Sequence, residues 1–273
     1  MLYITTPDKT NLYFKDWGAG RPVILLSGWP LSADSWDDQA VAMAEAGYRV
    51  IAYDRRGFGR SSQPWSGYDY DTLSDDLASV IEHTKVQDAI LVGFSMGGGE
   101  VARYMSRHGG KSVTKAALIA SVVPFMLKTA DNPDGTPQDV FDTISKGLKK
   151  DRAEFFAGFF KEFFGVSLLS HGVSEPMIDW ARGVSMQASL KATLACAQSF
   201  SSTDFRGDLA SFKVPTLIIH GTQDKTVPIN ASSRAAARGI AQSTLIEYED
   251  APHGLFASHK ERLTADLLKF FAQ

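Results

Sequence analysis

The chain predicts an α/β fold, a mostly parallel sheet with helices on both faces, and three observations carry that prediction. Short apolar runs of strand length, residues 22–26, 89–92, 116–120, 215–221 and 244–248, alternate with amphipathic helical stretches. A glycine-framed serine, Gly93-Phe94-Ser95-Met96-Gly97, joins the second of these runs to a helical pattern. Ser95, Asp224 and His253 each fall just past a strand-like run, where open sheets of this kind place their sites. With 273 residues, 44% of them hydrophobic, the chain has material for one large domain, or for a domain with an insertion.

Residues 22–26, Pro-Val-Ile-Leu-Leu, read as a buried strand that opens into the loop Ser27-Gly28-Trp29-Pro30. Residues 69–84 read as a helix: an Asp-rich first turn precedes a stripe of Leu73, Leu77, Val80, Ile81 and Thr84. Ala89-Ile90-Leu91-Val92 is the strand before Ser95. The turn from that strand into the next helix is tight enough to require glycine two residues before and two after the serine. Gly98 and Gly99 let the first helical turn press against its neighbours. After residues 116–120 the alternation stops. Residues 122–212 are loop and helix, with Pro133, Pro137 and several aromatics, and we expect an inserted helical cap. The core is then residues 1–121 and 213–273. Strands at 215–221 and 244–248 complete the sheet, the first followed by Asp224 and the second by Asp250-Ala251-Pro252-His253-Gly254.

These residue types suit nucleophilic catalysis. A serine hydroxyl needs a base to accept its proton, an imidazole accepts it near neutral pH, and a carboxylate orients the imidazole and stabilises its cation. We therefore expect Ser95, His253 and Asp224 to form a catalytic triad, with Asp204, Asp208 and Asp250 as weaker candidates for the acid. His83, His108, His171, His220 and His259 are expected to be structural or exposed. The oxyanion formed in acyl transfer needs N–H donors. Met96 should supply one, at a helix N-terminus whose dipole favours an anion. Trp29 should supply the other, since Gly28 lets the chain turn inward and Pro30 has no N–H. The paired phenylalanines Phe155, Phe156, Phe159, Phe160, Phe163 and Phe164 should mostly hold the cap to the core. Candidate pocket residues are Pro30, Val122, Phe125, Phe159, Phe163 and Val227.

Composition removes other classes. Net charge is −3, and no run of Lys or Arg suggests a nucleic-acid or membrane surface. Residues 1–8 have neither a basic start nor a long apolar stretch, so we expect no signal peptide, no membrane anchor and a cytoplasmic location. The single cysteine, Cys196, allows no internal disulfide and no Cys-based metal cluster. Neither a metal nor an organic cofactor is expected.

The order Ser…Asp…His is that of the α/β-hydrolase fold. Several segments carry a closer resemblance: Phe14-Lys15-Asp16-Trp17-Gly18, Asp54-Arg55-Arg56-Gly57-Phe58-Gly59-Arg60-Ser61, the elbow through Tyr104, Ser189-Leu190-Lys191-Ala192-Thr193, Thr203-Asp204-Phe205-Arg206 and Asp250-Ala251-Pro252-His253-Gly254. With these the whole chain resembles the cofactor-free haloperoxidases, or perhydrolases and aryl esterases. One departure is Ser27, where relatives usually carry His. The resemblance implies hydrolysis of small esters through an acyl-Ser95 intermediate. It also implies perhydrolysis, in which hydrogen peroxide replaces water and the peracid formed oxidises halide in solution. Family members associated with perhydrolysis tend to have proline after this tryptophan, which points to Pro30 and the Trp29 carbonyl as a peroxide-orienting pair. Relatives often form symmetric oligomers. Lactam or amide cleavage and carbon–carbon bond hydrolysis remain alternatives on the same triad, as does a non-catalytic receptor. Dehalogenases and epoxide hydrolases use an aspartate at the elbow, which Ser95 argues against.

Overall fold

The computed structural model describes residues 3–166 and 172–273. His171 lies outside the described residues. Eight strands form one sheet: β1 (Tyr3–Thr5), β2 (Asn11–Gly18), β3 (Arg21–Leu26), β4 (Tyr48–Tyr53), β5 (Ala89–Phe94), β6 (Val113–Ile119), β7 (Thr216–Gly221) and β8 (Ser243–Tyr248). Their spatial order is β1-β2-β4-β3-β5-β6-β7-β8, with β1 antiparallel to β2, β2 antiparallel to β4, and every later pairing parallel. All five strand-like runs of the sequence lie in the parallel part. Strands β5 and β7 are buried at every position, which requires cover on both faces and explains why they read as unbroken apolar runs.

Helices supply that cover. α1 (Asp37–Glu45) follows β3, α2 (Tyr70–Thr84) follows β4, and α3 (Met96–Arg107) follows β5. α2 packs on α3. The Asp69 carboxylate caps α2 by accepting from the Thr72 N–H at 2.9 Å, and all five residues of its apolar stripe are buried.

Between β6 and β7 run α4 (Gln138–Lys150), α5 (Arg152–Phe163), α6 (Glu175–Met186) and α7 (Leu190–Ser202). They pack on one another, α5 against α4 and α6, and α4 against α7. After α7 the chain packs on α2 and on the segment after β6: the Phe205 ring stands edge-on to Tyr70 at 4.6 Å, and its N–H donates to the Pro124 carbonyl at 2.8 Å. α8 (Ser233–Gly239), α9 (Leu255–Ser258) and α10 (Lys260–Ala272) complete the layers, with α10 against α1. No helix among the described residues is long and apolar enough to cross a membrane.

Candidate active site

Ser95 sits between β5 and α3 at φ 53°, ψ −118°, a left-handed conformation that an ordinary side chain adopts only when its surroundings impose it. The flanking glycines do the imposing. A Cβ on Gly93 would lie 2.6 Å from the Gly97 carbonyl oxygen, and one on Gly97 would lie 2.6 Å from the Leu26 carbonyl oxygen. The helix thus rests directly on β3, and the serine N–H is tied to the Ile119 carbonyl at 2.8 Å.

His253 and Asp224 lie on the loops after β8 and β7. His253 Nε2 is 2.9 Å from Ser95 Oγ, and His253 Nδ1 is 2.6 Å from Asp224 Oδ2. Because Nδ1 faces a carboxylate it carries the proton, which leaves the Nε2 lone pair directed at the serine. All three side chains are buried. Asp224 is held from every side. Its Oδ1 accepts from the N–H groups of Thr226 (2.9 Å) and Val227 (2.8 Å), and its Oδ2 also meets His220 Nε2 at 3.0 Å. Burial pushes the Asp224 carboxyl upward, but the His253 imidazole and the hydrogen bonds from His220 and His253 outweigh it. The group is held well below the usual carboxylate range. The other aspartates lie elsewhere: Asp204 pairs with Arg206 at 2.6 Å, Asp208 with Arg103 at 3.4 Å, and the Asp250 N–H donates to Thr222 Oγ1 at 3.0 Å.

The loop after β3 lies on the elbow. A Cβ on Gly28 would meet the Phe94 ring at 2.7 Å and Ser95 Cβ at 2.9 Å, so glycine is needed there for close approach to Ser95 rather than for a turn. Among the described residues neither the Trp29 N–H nor the Met96 N–H has a hydrogen-bond partner. The Trp29 indole N–H donates to the Thr193 carbonyl of α7 at 3.0 Å, and its ring packs edge-on to Phe159 (5.4 Å) and Phe200 (5.6 Å).

An apolar cavity of about 60 Å³ opens beside Ser95, walled by Trp29, Val122, Met126, Phe141, Phe159 and Val227 among others, with Thr136, Lys225 and Thr226 as polar members. Of the expected pocket residues, Val122, Phe159 and Val227 are on this wall; Pro30, Phe125 and Phe163 are not. Phe125 and Met126 are consecutive in an irregular segment and face opposite ways. Met126 enters the cavity, while the Phe125 ring lies outside it beneath the Arg206 guanidinium at 5.1 Å. Phe163 shares the stripe of Phe159 on α5, but one turn of helix, about 5.4 Å, carries it past the cavity and behind the base. Its ring stands edge-on to the His253 imidazole at 4.9 Å, and its carbonyl accepts from the Gly254 N–H at 2.7 Å. Pro30 is buried beside the cavity without walling it. A larger hollow of about 620 Å³, bordered by Lys161, Glu162, Gln223 and His259, does not include Ser95.

Two features escaped sequence reading. His220 is buried and structural, one of the two expected outcomes, but its bracing of Asp224 was not foreseen. Its Nδ1 lies 2.7 Å from Ser233 Oγ, and its Nε2 faces two acceptors, Asp224 and the Val227 carbonyl at 3.0 Å, so Nε2 carries the hydrogen. The signal was its place at the end of β7, one short turn before Asp224. The second is Arg55, inside the quoted motif, which is buried behind the Ser27–Trp29 loop. Cys196 is also buried, and burial pushes its thiol up to about 12, so it stays protonated and inert at neutral pH.

A buried Ser–His–Asp relay set on a glycine elbow, at the carboxyl ends of a mostly parallel sheet, defines the serine-hydrolase type of α/β protein. The chain belongs to the alpha/beta hydrolase fold family, which matches residues 21–260, and within it to the non-heme haloperoxidases and perhydrolases. It is 44% identical to a non-heme chloroperoxidase of Streptomyces lividans, covering 98% of each chain, and 43% identical to a bifunctional esterase/perhydrolase of Acinetobacter calcoaceticus, covering 99% of each. The crystal structure of a bromoperoxidase from Bacillus anthracis superposes with a TM-score of 0.96 at 43% identity, covering 100% of this chain and 99% of that one.

Proposed function

We propose that this protein is a serine esterase for short-chain carboxylic esters that also catalyses perhydrolysis. The observation that carries the reading is the relay from Asp224 through His253 to Ser95 Oγ, bordered by two backbone N–H groups that have no partner among the described residues. Ser95 Oγ adds to the ester carbonyl carbon while His253 Nε2 takes its proton, and the carbonyl electron pair moves onto oxygen, where the Trp29 and Met96 N–H groups receive it. Collapse expels the alcohol, protonated by His253, and leaves acyl-Ser95. Water or hydrogen peroxide then adds to the acyl carbon with His253 as base, which releases a carboxylic acid or a peracid. The peracid leaves and oxidises halide in solution.

The cavity supports the acyl side of this reading. A cavity of about 60 Å³ is small, which favours short acyl chains. Helices α4, α5 and α7 supply much of its apolar wall, and we assign residues 122–212 as the cap over the site, with residues 203–212 seated back on the core.

The test is a panel of p-nitrophenyl esters from acetate to octanoate, assayed with and without peroxide. We expect kcat/KM to peak at the short acyl chains and peracid to accumulate when peroxide is present. Equal turnover of octanoate and acetate, or no peracid at any peroxide concentration, would refute the corresponding half of the proposal.

A further inference from the structure

The two N–H groups beside Ser95 come from separate parts of the chain, Met96 at the start of α3 and Trp29 in the loop after β3. To act on one oxygen they must keep a fixed separation, because an error of about 1 Å in such a site costs on the order of a hundredfold in rate. One buried side chain ties the two carriers together. Arg55, just past β4, donates from Nε to Glu100 Oε1 at 2.6 Å and from Nη2 to the Ser27 carbonyl at 2.6 Å. Glu100 is one helical turn beyond Met96 on α3, and Ser27 is two residues before Trp29. The Tyr53 hydroxyl donates to the second carboxylate oxygen of Glu100 at 2.8 Å and fixes its rotation.

We infer that Arg55, anchored by Glu100 and Tyr53, is the positioning residue that sets the separation of the two oxyanion donors. Stability alone explains the arrangement poorly. Arg55 and Glu100 are 2% and 1% exposed, and a buried ion pair returns little more than it loses on leaving water. Moreover, Arg55 Nη1 and Ser27 Oγ have no partner among the described residues, a further cost that an apolar packing would avoid. The planar fork explains the residue type. It reaches a carboxylate on one element and a carbonyl on another from a single rigid plane, which an ammonium cannot do. The neighbouring residues make other ties. Asp54 accepts from the Ala33 N–H at 2.8 Å, beyond the Trp29 loop, and Arg56 pairs with Asp76 of α2 at 2.6 Å. Since Arg55 holds a backbone carbonyl, serine at position 27 leaves the link intact.

The inference rests on the oxyanion hole of the esterase reading, and the experiment separates the two. Wild type, Arg55→Lys, Glu100→Gln and Tyr53→Phe are assayed for kcat and KM on p-nitrophenyl acetate and for Ki of an alkyl trifluoromethyl ketone. Ser95 Oγ adds to that ketone's carbonyl carbon, its proton passes to His253, and the carbonyl electron pair becomes an oxyanion in the donor site. We expect Arg55→Lys and Glu100→Gln to lower kcat by ten- to a hundredfold with KM within about twofold, and Ki to rise in proportion to the fall in kcat/KM. Tyr53→Phe should show the same pattern at a few-fold. Folded variants with kcat and Ki within twofold of wild type overturn the inference. If Arg55→Lys and Glu100→Gln do not fold, Tyr53→Phe decides by the same criterion. A wild type that the ketone does not inhibit, or a Ser95→Ala variant that keeps its activity, overturns the esterase reading itself.

Discussion

The parallel sheet and the helices inserted between β6 and β7 both build the cavity, but they build different things. From the sheet come groups whose positions are fixed by backbone: Ser95 at φ 53°, the N–H groups of Trp29 and Met96, and an aspartate with four hydrogen-bond donors around it. The inserted helices contribute apolar side chains, Phe141, Phe159 and Phe200, held by edge-on ring contacts that many hydrophobic residues could replace. On the proposed reading, chemistry rests on groups with a single workable geometry, and acyl selectivity on a surface that can be reshaped. Substitutions in the two regions should differ in kind as well as in size.

The largest effects belong to the relay. Ser95→Ala and His253→Ala should each lower kcat on the order of 10⁶-fold, and Asp224→Asn about 10⁴-fold, with an unchanged circular dichroism spectrum. Residual activity within tenfold of wild type in Ser95→Ala would move the nucleophile elsewhere. Asp224 adds a pH test. Its carboxyl is held below the usual range in the folded protein, so the unfolded chain binds its proton first as pH falls. The stability it contributes is full above the unfolded value, about 3.9, and is lost as pH falls through the folded one. Urea unfolding between pH 3 and 5 should show a shallower acid decline in Asp224→Asn than in wild type. Equal slopes would mean that Asp224 is not the depressed carboxyl.

Next come backbone and wall, compared directly. Gly97→Ala forces a Cβ to within 2.6 Å of the Leu26 carbonyl and should cost about 1–3 kcal/mol of stability, together with most of the activity. Phe159→Ala should leave the relay working and shift preference toward longer chains, raising kcat/KM for hexanoate over acetate by about tenfold. A Phe159→Ala variant as inactive as Ser95→Ala would erase the distinction between the two regions. The smallest effect concerns Pro30. It is buried next to Trp29 without touching the acyl cavity, so Pro30→Leu should spare ester hydrolysis. If the Trp29 carbonyl orients peroxide, the ratio of perhydrolysis to hydrolysis should fall several-fold. An unchanged ratio leaves Pro30 as loop scaffold.

How far each part was legible follows from how local its cause is. The elbow was readable because a tight strand-to-helix turn has one solution in sequence, glycine on both sides of the nucleophile. The α2 boundary was readable because Asp69 caps it and a stripe of period 3.6 fills it. The cavity wall was less so. Phe159 and Phe163 share one helical stripe, and sequence spacing does not say where along that stripe the cavity ends and the His253 imidazole begins.

By itself, then, the sequence determined five of the parallel strands, the α2 helix and the glycine elbow that carries Ser95, since each is encoded within a few neighbouring residues, whereas β1, β2 and β4 went unnamed. Only the tertiary structure decided that His220 braces Asp224, that Phe163 backs His253 while Met126 rather than Phe125 enters the cavity, and that Arg55 joins Glu100 to the Ser27 carbonyl. These contacts link different strands and helices, or depend on how far a side chain lies along an element. Their geometry is set by how the sheet and its layers pack, which no stretch of local sequence records.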